Sequence, residues 1–123
     1  MIHNEDKYER RSNLRINAEI RVYYSDHHSK LLTGYSVELS VGGVFLVTTC
    51  PFDVDDNVRL KLSLPGQEEK PISCDARVAW INFEDNRHKP EYPPGVGLQF
   101  NDLAMEDLNS ISSFLEIEAA AAC

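Results

Sequence analysis

Two arginines, Arg11 and Arg15, stand four residues apart near the start of a 123-residue chain, with Ser12-Asn13-Leu14 between them. Each guanidinium is a planar fork of donors suited to phosphate oxygens or to the O6/N7 edge of guanine, with a flat face that can stack on a base. Arg10 lies directly before them. Taken alone, R-x-x-x-R is equally met by a solvated charge run facing Glu5, Asp6 and Glu9. A second cluster is Glu38-Leu39-Ser40-Val41-Gly42-Gly43. A carboxylate there can accept from the N1 and N2 donors of guanine, the edge opposite the one that arginine prefers. Ser40 can donate or accept at a turn, and the glycines permit close backbone approach. Alone, this segment also fits a plain turn between two strands.

Other groups of reactive type do not assemble into a known constellation. His27 and His28 sit in a polar turn and His88 in another, giving metal binding little support. Asp53, Asp55 and Asp56 lack the glycine and terminal glutamate of a calcium loop. Cys50, Cys74 and Cys123 contain no C-x-x-C pair, so two small core or strand residues and one terminal thiol are expected. Trp80 falls on the inward phase of its strand and is expected in the core. No Ser-His-Asp set, P-loop or carboxylate pair is present, which argues against an enzyme.

The net charge of −8 opposes binding to a nucleic-acid polymer, which needs many phosphate-neutralising cations. The alternative of a single-stranded nucleic-acid barrel would need exposed aromatics on a basic face, for which Tyr23 and Tyr24 are the candidates. A local basic site on an acidic body suits capture of a small anion. No apolar run approaches the roughly 18 residues of a membrane span, and the first residues are too polar for a secretory signal. A cytoplasmic protein without membrane insertion is expected.

The elements that must position these residues follow from periodicity. Residues 1–15 read as a mobile arm. Strict alternation over 16–24 predicts one strand, and further strands are expected over 32–39, 44–48, 58–64, 72–80 and 96–100, with a polar loop over 84–94. Helical spacing then takes over, with Asp102 as N-cap, Leu108, Ile111 and Leu115 as the apolar stripe, and a fraying Ala119–Cys123 end. Six strands and one helix over 16–118 predict a mainly β fold, a six-stranded antiparallel barrel with a C-terminal α-helix.

The order of the two clusters on this pattern resembles the PilZ domain family, described by R-x-x-x-R in an N-terminal arm and [D/N]-x-S-x-x-G on adjoining strands. Gly95-Val96-Gly97-Leu98-Gln99-Phe100 resembles the family's closing strand before its helix. The likeness runs from about Tyr8 to about Leu115. It implies a receptor for cyclic di-GMP with no catalysis and no cofactor. Arg11 and Arg15 match the arginines that hold guanine and phosphate, and Ser40 and Gly43 match the second motif. Glu38 takes its first position, and Arg10 goes with an intercalated pair, two nucleotides per domain. The resemblance further implies an arm that orders over the ligand and a signal passed to a separate, unidentified partner protein. Glu38 departs from the pattern: its extra methylene moves the carboxylate by roughly one bond length, enough to matter for binding. That departure supports the alternative of a PilZ-like interaction module that binds no nucleotide.

Overall fold

Alternating apolar residues become the interior of a closed barrel in the computed structural model, which describes residues 14–26, 28–84 and 86–121. The strands are β1 (Ile16–Asn17), β2 (Arg21–Ser25), β3 (Leu31–Leu39), β4 (Gly43–Val47), β5 (Asn57–Ser63), β6 (Ile72–Phe83), β7 (Asn86–Arg87) and β8 (Gly95–Asn101), followed by helix α1 (Met105–Ala121). Six pair antiparallel in the order β3-β2-β5-β6-β8-β4, and β4 pairs back onto β3 to close the ring. The predicted six-stranded barrel and single C-terminal helix are present. β1 continues along β3 beyond β2, and β7 folds back on the end of β6. The expected arm over residues 1–15 lies outside the described residues except for Leu14 and Arg15.

Val22, Val58, Leu60, Leu62, Val78 and Val96 are essentially fully buried inside the barrel. Removing such side chains from water, at roughly 1.5–3 kcal/mol each, is the main drive for closure. Helix α1 adds Ile111, Phe114 and Leu115 to the same core. Ile111 and Leu115 of the expected stripe are buried, with Phe114 in place of the partly buried Leu108, and the cap also differs: Ala104 takes the cap position, its carbonyl accepting from Leu108 N at 2.9 Å. Asp102 stands two residues earlier in left-handed backbone, φ 49°. Ala119 to Ala121 remain helical, where fraying was expected. Cys74 is buried, and desolvation pushes its thiol up to about 11, which keeps it protonated near neutrality. Cys50 is partly buried.

The strand predicted over 16–24 is interrupted. Between the partners Asn17–Glu38 and Arg21–Tyr35, residues 18–20 face only residues 36–37, so one extra residue bulges out. Ser36, fully buried, fills the break: its Oγ donates to Ala18 O at 2.7 Å and accepts from Ile20 N at 3.2 Å. Ser36→Ala is expected to cost about 1–3 kcal/mol, because the buried Ile20 amide loses its acceptor. Urea unfolding checks this, and an unchanged midpoint would show that the bulge stands without the hydroxyl.

Two further bulges decide what faces outward. On β3 the register against β4 shifts between Ser36 and Glu38, leaving Val37 as the extra residue; on β6 the register against β8 shifts between Val78 and Trp80, leaving Ala79. Each extra residue exchanges inside for outside. Before the second shift Ile72, Cys74, Ala76 and Val78 belong to the core; after it Ile81 and Phe83 pack on the core instead. Trp80, expected inside, therefore sits on the outer face. Its phase is reversed by the bulge at Ala79.

Candidate functional site

On that outer face a groove of about 330 Å³ runs across β4, β6 and β8 to the β3–β4 turn. Its floor is aromatic. Phe45 is 2% exposed although it points away from the barrel interior, because it stacks on Trp80 (centroids 5.2 Å apart, planes at 28°) and meets Tyr92 edge-on at 5.0 Å. Gly97 makes room for the indole: a Cβ there would stand 2.1 Å from Trp80 Nε1.

The turn that carries Ser40 is built by its own hydroxyl. Ser40 Oγ accepts from the amides of Gly42 and Gly43, both at 3.2 Å, and Ser40 N donates to Gly43 O at 2.9 Å. Gly43 opens β4 and pairs with Gln99, so it lies against β8, where a Cβ would be 2.0 Å from Leu98 O. The backbone of the turn becomes one lip of the groove.

Glu38 also lines the groove. The Val37 bulge turns its carboxylate outward, where its Oε2 accepts from the Tyr92 hydroxyl at 2.9 Å, with Lys89 Nζ at 3.9 Å. Its Oε1 faces Arg15 Nη1 at 3.7 Å. Arg15 is 64% exposed at this long separation, so the pair is worth under about 1 kcal/mol and leaves the guanidinium able to take another anion. Tyr92 is held more firmly. Desolvation first, then the bond to Glu38 and the charges of Glu38 and Glu91, push its phenol up to about 12 against a small opposing effect of Arg15. It stays a hydrogen-bond donor throughout the ordinary pH range.

The segment bearing Lys89 and Tyr92 is fixed by Asn82. This fully buried amide also follows the Ala79 bulge. Its Oδ1 accepts from Lys89 N at 2.7 Å, and its Nδ2 donates to Lys89 O at 3.0 Å and Pro93 O at 3.1 Å. Lys89 Nζ in turn lies 4.9 Å from the centre of the Tyr92 ring, a cation–π distance.

Of the residues singled out by sequence, Arg15, Glu38, Ser40 and Gly43 line this one groove. Arg10 and Arg11 lie outside the described residues. Trp80 also lines it, and Lys89 and Tyr92 border it through Glu38. The acidic run at 53–56 is taken up locally, with Asp56 Oδ2 accepting from Asp53 N at 2.8 Å and Asp55 paired to Arg77. Tyr24 is buried, its hydroxyl 2.8 Å from Thr48 Oγ1, so Tyr23 and Tyr24 form no surface platform for bases. Among the described residues no helix is long and apolar enough to cross a membrane.

A family model for the PilZ domain matches residues 9–116. The chain belongs to the PilZ domain family. The fold of this PilZ domain is similar to the Bacillus subtilis inhibitor of motility (MotI/DgrA), at TM-score 0.73 and 19% identity, covering 88% of this chain and 50% of that one. It thus spans half the length of that relative. It is also similar to the PilZ domain of YcgR from Escherichia coli, solved with c-di-GMP (TM-score 0.62, 12% identity, covering 87% and 90%). A third likeness is to MrkH, described as a c-di-GMP-dependent transcription regulatory factor (TM-score 0.63, 17% identity, covering 86% and 49%). No curated protein matches the sequence.

Proposed function

We propose that this PilZ domain is a cytoplasmic, non-catalytic receptor for cyclic di-GMP. The observation that carries the proposal is the convergence of Arg15, Glu38, the Ser40 turn and Gly43 on one groove. Arg15 offers a largely exposed guanidinium for phosphate or for the O6/N7 edge of guanine, and Glu38 offers a carboxylate for the opposite edge. The groove lies at the low end of the roughly 300–1,000 Å³ usual for small-molecule sites. A dinucleotide would extend beyond it, where the arm carrying Arg10 and Arg11 closes over it. Arg10 admits a second, intercalated nucleotide. Ordering the arm costs entropy that the ionic and stacking contacts must exceed. The surface so formed is read by a separate partner protein.

Titration calorimetry of cyclic di-GMP into the protein tests this, with Arg11→Ala/Arg15→Ala alongside. Two charge-assisted contacts at about 1.5–3 kcal/mol each predict a loss of more than about 100-fold in the variant, with unchanged circular dichroism. A variant that bound normally would remove both arginines from the site.

A second function is favoured by one contact. Glu38 Oε2 is already engaged by Tyr92, with Lys89 nearby. If that carboxylate does not turn to a guanine, the groove is a docking face for a protein and the domain is a nucleotide-free adaptor. A folded protein that evolves no heat with cyclic di-GMP, and whose groove variants lose capture of a partner protein, would support this alternative.

A further inference from the structure

Nothing in the two sequence motifs points to Tyr92, which stands 54 residues beyond Glu38 in the chain. We propose that Tyr92 is a positioning residue: its hydroxyl fixes where the Glu38 carboxylate stands in the groove, with Lys89 as an auxiliary anchor, and thereby sets nucleotide affinity. This rests on the receptor function proposed above.

A glutamate has one more rotatable bond than an aspartate, so an untethered carboxylate at position 38 would sample several places in the groove. Here its two oxygens are differentiated. Oε2 receives the Tyr92 hydroxyl at 2.9 Å, while Oε1 is left on the side of Arg15 at 3.7 Å. The tether is itself rigid at three points. The Tyr92 ring abuts Phe45 edge-on, Lys89 lies over it, and the surrounding backbone is tied to the buried Asn82 amide. Glu38 is thereby pre-organised, with one oxygen held by the protein and the other presented to a ligand donor. Side-chain freedom that would otherwise be lost on binding is lost on folding instead.

The test is cyclic di-GMP titration into the wild type, Tyr92→Phe, Glu38→Gln and the double variant. Tyr92→Phe keeps the ring on Phe45 and removes only the hydroxyl. It should weaken binding about tenfold with a thermal midpoint close to wild type. In the Glu38→Gln background the same change should have much less effect, because the carboxylate it positions is gone. A purely structural tyrosine would weaken both backgrounds equally. Binding by Tyr92→Phe as tight as wild type, or tighter, overturns the proposal. Failure of the receptor function itself reads differently, as absence of wild-type binding. The anchor is then decided at neutral pH by NMR of ¹³Cζ-labelled tyrosine: the Tyr92 signal should shift in Glu38→Gln, because its hydroxyl donates to that carboxylate. A Tyr92 signal indifferent to that substitution overturns it.

Discussion

Gly43→Ala is expected to destabilise the barrel by about 3 kcal/mol or more, at the upper end of overpacking costs. The methyl group would stand 2.0 Å from Leu98 O and 3.1 Å from Leu98 C, which are backbone atoms of the neighbouring strand. No rotamer change relieves such a contact. β4 would have to withdraw from β8 at the Gly43–Gln99 partners, beside the turn where Phe100 N donates to Gly42 O at 2.9 Å. The Ser40 turn and the groove lip would move with it, so nucleotide affinity should fall together with the urea midpoint. A variant of wild-type stability would mean that the β4–β8 contact is looser than the geometry requires.

Gly97→Ala should also destabilise, by about 1–3 kcal/mol, but for a reason that a second substitution can remove. Here the added carbon meets the Trp80 ring, at 2.1 Å from Nε1 and 2.2 Å from Cε2, rather than backbone. In a Trp80→Ala background the space is empty and the cost of Gly97→Ala should nearly vanish. The double-mutant cycle therefore gives a large coupling for Gly97 with Trp80. Urea unfolding of the four proteins measures it. An unchanged cost in the Trp80→Ala background would show that the indole does not lie on Gly97.

The barrel was legible because period-two burial is a strong signal. Val58, Leu60 and Leu62 alternate with Arg59, Lys61 and Ser63, and the structure buries that apolar set. The helix was legible from the spacing of Ile111 and Leu115, both buried, although Phe114 rather than Leu108 completes its core face. The change of phase inside strands is harder to read from the sequence. Even-numbered apolar residues run from Ile72 to Val78 and odd-numbered ones follow at Ile81 and Phe83. That step is the written trace of the Ala79 bulge, and Trp80 concealed it by being apolar on the old phase. In β3 the trace is fainter, because the inward residue before the shift is Ser36, a polar side chain that counts as outward in any hydropathy pattern. The groove half built from motif residues was visible at Arg15, Glu38, Ser40 and Gly43. The other half, Asn82, Lys89 and Tyr92, comes from a polar loop whose contacts to Glu38 are long-range in sequence. The glycines at 95 and 97 were a usable clue, since small residues alternating on one face leave room for large rings from adjacent strands.

The phase changes also divide the molecule into two packing units with a single layer of backbone between them. Trp80 and Tyr92 pack on Phe45 outside the barrel, while Val44, Leu46, Val78 and Leu98 pack on its interior. Substitutions in different units that lie more than about 7–10 Å apart and share no partner add in their effects on stability to within about 0.5 kcal/mol. Selection or design can therefore reshape the outer aromatic face toward another ligand without repacking the fold that displays it.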